Sequence, residues 1–213
     1  MGLRLSEITL LAMALLCFAI GAYAYARMPE QVASHWNAQG EVDGYMAKPW
    51  GVFLLPAVFL CLFLIFAVLP RLDPLRANIR KFVSQLDNLM LLVGAFFFYV
   101  YVLTLAWNLG ARFNMSQLLA PAFAALFFYL GILLENAKRN WFIGIRTPWT
   151  LSSDRVWNKT HALGGKLFKA AGLIALLGLL LPQYAILFVL APVLVAAVGS
   201  TAYSYLEYRK LHK

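Results

Sequence analysis

The number of long apolar segments constrains this chain more than any other feature. A helix needs about 20 apolar residues to cross a bilayer, and six stretches approach or reach that length. They cover about residues 7–26, 50–69, 87–109, 117–137, 167–181 and 184–206. With 62% hydrophobic and only 13% charged residues, the 213-residue chain carries more apolar surface than a soluble domain of this length can bury. We therefore expect an all-α integral membrane protein, with one polytopic membrane domain over residues 1–213.

The lysine and arginine residues gather in alternate loops. Fifteen of the eighteen lie in the N-terminal segment, in the second and fourth loops with their flanks, and in the C-terminal tail, whereas three lie in the first and third loops. Cytoplasmic loops of membrane proteins carry such an excess. The sequence thus predicts that both termini are cytoplasmic, that the 27–49 loop is extracytoplasmic, and that the 138–166 loop is cytoplasmic. The net charge of +9 follows from this asymmetry and does not indicate direct binding of nucleic acid.

The outer loop is polar and contains turn signals at Gln39-Gly40 and Asp43-Gly44. Val32 and Trp36 are four residues apart, so they could form one face of a short helix or lie against the membrane. One interpretation is a compact extracytoplasmic cap that binds a ligand; the other is a solvated connector whose aromatic residues anchor at the interface. The candidate ligand-binding residues are His35, Trp36, Asn37, Gly40, Asp43, Gly44 and Lys48.

The inner loop contains the signals of a short helix. Ser152 or Ser153 can cap a helix over about residues 154–163, and Gly164 or Gly165 can end it in a left-handed turn. With basic residues on one side and apolar residues on another, this predicts an amphipathic helix that lies in the inner membrane interface.

Two explanations of the inner loop remain open. Attraction to anionic lipid headgroups, together with topology, accounts for its basic residues. Lipid attraction does not account for the glycine, proline, hydroxyl and imidazole residues among these basic residues. A folded cytoplasmic surface that binds a partner would explain them. The candidate residues are Asn140, Gly144, Arg146, Thr147, Pro148, Trp149, Thr150, Ser152, Trp157, Thr160, His161, Gly164 and Gly165.

We find no sequence pattern for catalysis, metal binding or a cofactor. Ser153 and His161 are about two helical turns apart, so they are not neighbours at helical spacing, and His35 has no second metal ligand nearby. There is no nucleophile elbow, HExxH motif or phosphate-binding glycine loop. We therefore expect no enzyme activity. No ionisable residue falls near a predicted bilayer centre, which also weighs against an ion-coupled transporter.

A long motif in the inner loop resembles a known family. Residues 144–157 read Gly-Ile-Arg-Thr-Pro-Trp-Thr-Leu-Ser-Ser-Asp-Arg-Val-Trp, and Thr160-His161 and Gly164-Gly165 follow. This resembles the C-terminal motif of the SdpI family, bacterial multi-span proteins typified by immunity to a sporulation-delaying toxin. The outer loop, continued to Pro56, resembles the small N-terminal DUF1648-like domain often found with it. The resemblance implies a bacterial plasma-membrane protein that protects its host from a secreted antimicrobial peptide and recruits a cytoplasmic repressor.

Two functional hypotheses follow. In the first, the outer loop contacts a secreted peptide toxin, and the inner loop reports its presence to a cytoplasmic transcriptional repressor. In the second, the protein is a small-solute or lipid transporter or channel, in which Arg146, Arg155 and Lys159 bind the phosphate of an anionic lipid headgroup. Prolines inside the predicted spans motivate the second hypothesis, and the missing midplane ionisable group favours the first.

Overall fold

A computed structural model describes residues 2–211, and this part of the chain contains six helices long and apolar enough to cross a membrane. The six predicted spans are confirmed. In chain order the elements are α1 (Leu5–Tyr25), β1 (Gln31–Trp36), β2 (Val42–Ala47), α2 (Lys48–Leu72), α3 (Arg76–Ile79), a 3-10 turn (Arg80–Phe82), α4 (Val83–Asn108), α5 (Met115–Asn136), α6 (Pro148–Ser152), α7 (Asp154–Ala175), α8 (Leu177–Leu180), a second 3-10 turn (Pro182–Tyr184) and α9 (Ala185–Leu211).

The connections between spans gather at two ends of the bundle, because successive spans run in opposite directions. We call the end formed by residues 26–47, 109–114 and 181–184 the hairpin end. The opposite end, formed by residues 2–4, 73–82 and 137–153 and the last turns of α9, is the motif end. Each end therefore carries one of the two polar loops that the sequence singled out.

The spans pack as two groups of three helices. In the first group α1 packs against α2 and α4, and in the second α7 packs between α5 and α9; contacts between α4 and α5 join the groups. The first group buries large side chains such as Leu10, Phe59 and Met90. In the second group α5 and α7 approach closely, since a Cβ added to Gly131 would lie 2.5 Å from the Gly165 carbonyl oxygen. Small residues allow such close packing of helices in lipid.

The polar loop after α1 forms a β-hairpin, in which β1 pairs antiparallel with β2 from Gln31 opposite Ala47 onward. The short helix suggested by the spacing of Val32 and Trp36 does not form, so that prediction is wrong. Both residue types favour strands, and Gly40 supplies the left-handed residue that a tight hairpin connection needs.

The inner-loop helix starts as predicted but does not end as predicted. Ser153 is the N-cap of α7, and its hydroxyl accepts a hydrogen bond from the backbone N–H three residues later. The predicted end at Gly164 or Gly165 is wrong, because α7 continues to Ala175, well into the fifth predicted span. The predicted position in the membrane interface is wrong as well, because the apolar side of this helix is buried between α5 and α9. Gly165 allows a close helix contact, since a Cβ there would lie 2.8 Å from the Gly131 carbonyl oxygen, and a Cβ at Gly164 would lie 2.5 Å from Cδ1 of Ile145.

Candidate functional sites at the two ends of the bundle

The tip of the hairpin is shaped by Asn37 and Gly40. The side-chain oxygen of Asn37 accepts hydrogen bonds from the backbone N–H groups of Gln39 and Glu41, both at 3.0 Å. Gly40 has a φ of +80°, in the left-handed region that favours glycine. These two candidate ligand-binding residues therefore form the turn itself.

Two asparagines hold the hairpin on the bundle. Asn108, the last residue of α4, accepts a hydrogen bond from the N–H of Ala33 at 2.8 Å and donates one to the carbonyl of the same residue at 3.0 Å. Asn114, the N-cap of α5, donates to the carbonyl of Gln39 at 2.7 Å. The hairpin is thus a compact cap bonded to two spans, whereas its extracytoplasmic position and its binding of a ligand stay predictions. Sequence reasoning missed both asparagines, although an asparagine before an apolar run is a recognisable helix start.

The exposed side of the hairpin carries an imidazole and a carboxylate in contact. Nδ1 of His35 lies 2.5 Å from Oδ1 of Asp43, and the two side chains are 72% and 45% exposed. Gly44 is opposite His35 in the register, and a Cβ there would lie 2.9 Å from the Cβ of His35. Trp36 packs edge-on against Trp107 of α4, with ring centroids 5.9 Å apart. The structure therefore brings His35, Asp43 and Gly44 together, whereas Trp36 packs against α4.

Lys48 lies at the base of the hairpin instead. It is the first residue of α2, its Nζ is 3.3 Å from a carboxylate oxygen of Glu30, and it lies 5.0 Å from the ring centroid of Tyr25. Because Asn37 and Gly40 form the tip, the seven candidate residues run along the hairpin's length and do not form one cluster.

A cavity of about 400 Å³ lies between the hairpin and the spans. Residues of α2, α4, α5 and α9 form its walls, and the hairpin covers it. The lining is mostly apolar, and among its described residues only His35 is ionisable. The lining includes Trp36, Met46, Leu54, Val58, Phe123 and Val189. Four separate spans build this cavity, so no single stretch of the sequence revealed it.

At the motif end, Asn140 shapes the start of the motif loop from a fully buried position. Its Oδ1 accepts hydrogen bonds from the N–H groups of Phe142 at 3.0 Å and Ile143 at 2.7 Å. Its Nδ2 donates to the carbonyls of Lys138 and Ile143, both at 2.9 Å. The backbone thus satisfies the donors and acceptors of this amide, as a buried polar group requires.

His161 joins the motif loop to α7. Its ring stacks on Trp157 with centroids 3.9 Å apart, and its Nε2 accepts a hydrogen bond from the N–H of Ile145 at 3.0 Å. Nδ1 lies 2.8 Å from the carbonyl oxygen of Trp157, so it carries the ring proton. Gly144 has a φ of +110°, and a Cβ there would clash with Nε2. Both ring nitrogens are engaged by the backbone, so His161 is not placed to act as a general base.

Two threonines form the start of α6 and connect it to α9. The Thr147 hydroxyl accepts a hydrogen bond from the N–H of Thr150 at 3.1 Å, and the Thr150 hydroxyl accepts one from the N–H of Thr147 at 2.9 Å. The Thr147 hydroxyl also lies 3.0 Å from that of Ser204. The short helix is therefore capped and tied to the last span by the same side chain.

The thirteen candidate residues of the motif divide by exposure. Eight are buried: Asn140, Thr147, Thr150, Trp157, Thr160, His161, Gly164 and Gly165. Arg146, Pro148 and Ser152 are exposed, and Gly144 and Trp149 are partly exposed. Trp149 packs on Tyr205 of α9 with ring centroids 5.0 Å apart, beside a shallow groove that Thr201 also lines. A partner can reach the exposed group, whereas the buried residues are enclosed by the loop and the spans.

Polar residues after α2 also fix the motif loop. Asp73 is buried, and its Oδ2 accepts a hydrogen bond from the N–H of Trp141 at 2.8 Å. Asn78 donates to the carbonyl of Arg139 at 2.9 Å. Sequence reasoning missed both, because each partner lies more than 60 residues away and no local spacing signals the bond.

Comparisons with known proteins cover both ends of the molecule. Residues 136–204 match the family model described as the SdpI/YfhL protein family, and residues 12–60 match the domain of unknown function DUF1648. A curated relative, "Immunity protein SdpI" from Bacillus subtilis (strain 168), is 28% identical over 198 residues, which cover 92% of this chain and 93% of that protein. No solved structure matches the chain.

Proposed function

We propose that this multi-pass membrane chain, in which residues 136–204 match the SdpI/YfhL family model as the motif predicted, is a bacterial plasma-membrane immunity protein that protects the cell from a secreted peptide toxin. The observation that carries the proposal is the similarity to an immunity protein along 92% of the chain. That length includes the hairpin as well as the motif loop, so both polar ends take part in the similarity.

The hairpin end is the toxin-facing side in this proposal. The excess of lysine and arginine at the motif end supports a cytoplasmic position for that end, which leaves the hairpin outside. A secreted peptide then meets the exposed His35–Asp43 pair and the ring of Trp36 beside the apolar cavity. Apolar walls with a few polar groups at the edge suit a ligand that buries apolar side chains and is oriented by hydrogen bonds.

Survival of a strain that is sensitive to the sporulation-delaying toxin tests this proposal. The wild-type protein is expected to raise survival, and the triple change His35→Ala, Trp36→Ala and Asp43→Ala is expected to restore sensitivity at an unchanged membrane level. Gln31→Ala alters an exposed residue of the same hairpin and should keep protection. Full protection by the triple variant would exclude the hairpin as the toxin contact. Absence of protection by wild-type protein present in the membrane would overturn the immunity proposal.

We assign a signalling contact with a cytoplasmic repressor to the exposed part of the motif. Arg146 is exposed, and its guanidinium donates to the carbonyl of Trp141 at 2.8 Å; Trp149 lies beside the groove on α9. Arg146→Ala and Trp149→Ala should reduce repressor recruitment, read by fluorescence at the membrane, more than they reduce survival. An equal loss of both readouts would mean that these residues only support the fold.

The lipid-handling alternative finds support in the apolar lining of the cavity, which suits an acyl chain, although the cavity and the cations assigned to the headgroup lie at opposite ends of the bundle. Of the three cations it assigned to a headgroup, Lys159 pairs with Glu207 at 2.6 Å and Arg146 binds a backbone carbonyl. Arg155 is exposed and makes no ion pair with another described residue. Purified protein in liposomes would have to accelerate movement of a labelled lipid or solute. Flux equal to that of empty liposomes would remove this alternative.

A further inference from the structure

A buried carboxylate at the motif end holds two arginines. Glu7 of α1 is fully buried, and both of its oxygens accept hydrogen bonds from the Arg71 guanidinium at 2.8 Å. Arg4 lies 2.8 Å from the same carboxylate and also pairs with Asp87 of α4 at 2.8 Å. These bonds fix the two guanidinium groups and tie the start of α1 to the end of α2 and the start of α4.

Beside these pairs lies a pocket of about 230 Å³ that four arginines line. Arg4 and Arg71 are joined there by Arg76 and Arg80, which are one helical turn apart after α2. Both of the latter are exposed, and neither pairs with a carboxylate among residues 2–211. The remaining lining is Gly2, Pro70, Ile79 and Val83. The pocket therefore combines guanidinium groups with an apolar wall.

The charges around the pocket do not balance. Among residues 2–211 the four arginines have two partner carboxylates, Glu7 and Asp87, which leaves a surplus of two positive charges. Asp73 does not line the pocket, and its two oxygens accept hydrogen bonds from the N–H groups of Leu75 and Trp141. Guanidinium groups match the geometry of phosphate oxygens and bind them through paired hydrogen bonds.

We propose that this arginine pocket binds an anionic phosphate group, and that a phospholipid headgroup is its natural source. The pocket lies where the spans α1, α2 and α4 end, so a headgroup at the membrane surface reaches it while its glycerol and acyl chains remain beside the apolar wall. The site is separate from the motif loop, and it does not depend on the immunity proposal. Arg76 and Arg80 supply the free charge, and Glu7 holds Arg4 and Arg71 in place.

Native mass spectrometry of the purified protein tests the site by counting bound phosphatidylglycerol, with phosphatidylcholine as the neutral reference. The double change Arg76→Gln and Arg80→Gln should weaken phosphatidylglycerol binding about tenfold or more, since each arginine near an anionic lipid contributes to the free energy of binding. It leaves the Glu7 pairs intact, so the fold should persist, as a thermal melt in detergent would confirm. The matched control Lys138→Gln and Lys166→Gln removes two exposed charges at the same end but outside the pocket.

The outcomes separate the possible sources of the phosphate. If only the arginine variant loses phosphatidylglycerol binding, and millimolar inorganic phosphate does not displace the lipid from the wild-type protein, the lipid is the ligand. Displacement by inorganic phosphate identifies a free phosphate compound and retains the site. Equal loss in the arginine variant and the lysine control means that unspecific surface charge attracts the lipid, which overturns the proposal. Unchanged binding in the arginine variant overturns it as well.

Discussion

Asn140 makes four hydrogen bonds to the backbone of the motif loop, and its side chain is fully buried. Water cannot replace these bonds in the folded protein. When a buried backbone donor or acceptor loses its partner, the free energy of unfolding falls, typically by about 1–3 kcal/mol for each group. The Asn140 amide is therefore one of the groups that hold the loop in the shape that presents Arg146 and Trp149.

Asn140→Ala should lower the free energy of unfolding by at least about 2 kcal/mol, because several backbone groups lose their partner at once. In a domain of this size we expect the midpoint of a thermal melt in detergent to fall by at least about 4 °C. Asn158→Ala removes the same amide from an exposed position of α7 and serves as the control, with a change below about 1 °C. Equal melting points for the two variants would show that the Asn140 bonds contribute little.

The motif could be located from its residue types, but the role of each residue could not. Asn140, Thr147 and His161 stood out as polar residues in an apolar chain. Such residues can bind a partner or make hydrogen bonds inside the fold, and the sequence does not distinguish the two uses. Burial decides between these uses, and burial depends on residues far along the chain. Asp73, directly after α2, and Ser204 of α9 bind the loop but gave no local signal at all.

The packing of α5 against α7 depends on glycines, because the lack of a side chain lets the two backbones approach closely. A Cβ at Gly165 would lie 2.8 Å from the carbonyl oxygen of Gly131, and one at Gly172 would lie 2.6 Å from that of Ala124. Backbone atoms cannot rotate away as the end of a flexible side chain can. A methyl group here must therefore separate the two helices.

Gly165→Ala should destabilise the protein by about 1–3 kcal/mol, the usual cost of inserting a methyl group into a filled interior. Unfolding by a titration with sodium dodecyl sulfate, followed by tryptophan fluorescence, would measure the shift. Gly199→Ala provides the control, because its Cβ would meet no atom closer than 3.9 Å and alanine favours helix over glycine. A Gly165→Ala variant as stable as the Gly199→Ala variant would contradict the close contact.

Hydropathy predicted the six spans because each is an apolar run that approaches or reaches the length needed to cross lipid. The same local evidence misled at Gly164 and Gly165, which are equally suited to end a helix or to allow a close helix contact. Only the position of Gly131 on α5 settles this ambiguity. The hairpin was likewise ambiguous, since the spacing of Val32 and Trp36 fits one turn of helix, whereas the bonds from Asn108 belong to another part of the chain.

The whole molecule places unlike surfaces at its two ends. The hairpin end has an apolar cavity beside the exposed His35–Asp43 pair, and the motif end has a folded loop beside the arginine pocket. The functional proposals assign the toxin to the first and the repressor to the second. They therefore require that a secreted peptide reaches the hairpin and that a cytoplasmic protein reaches the motif loop.

Single cysteines at the two ends would test this arrangement in intact cells. Cys17 and Cys61 are unpaired and can be replaced by alanine to give a background without thiols. Gln39→Cys at the exposed hairpin tip should react with a membrane-impermeant maleimide added outside, because fifteen of eighteen basic residues favour the other end as cytoplasmic. Ser152→Cys on the exposed part of the motif should react only after the cells are permeabilised. Labelling of Ser152→Cys in intact cells would reverse the two ends, and the toxin and repressor could then no longer be assigned as proposed.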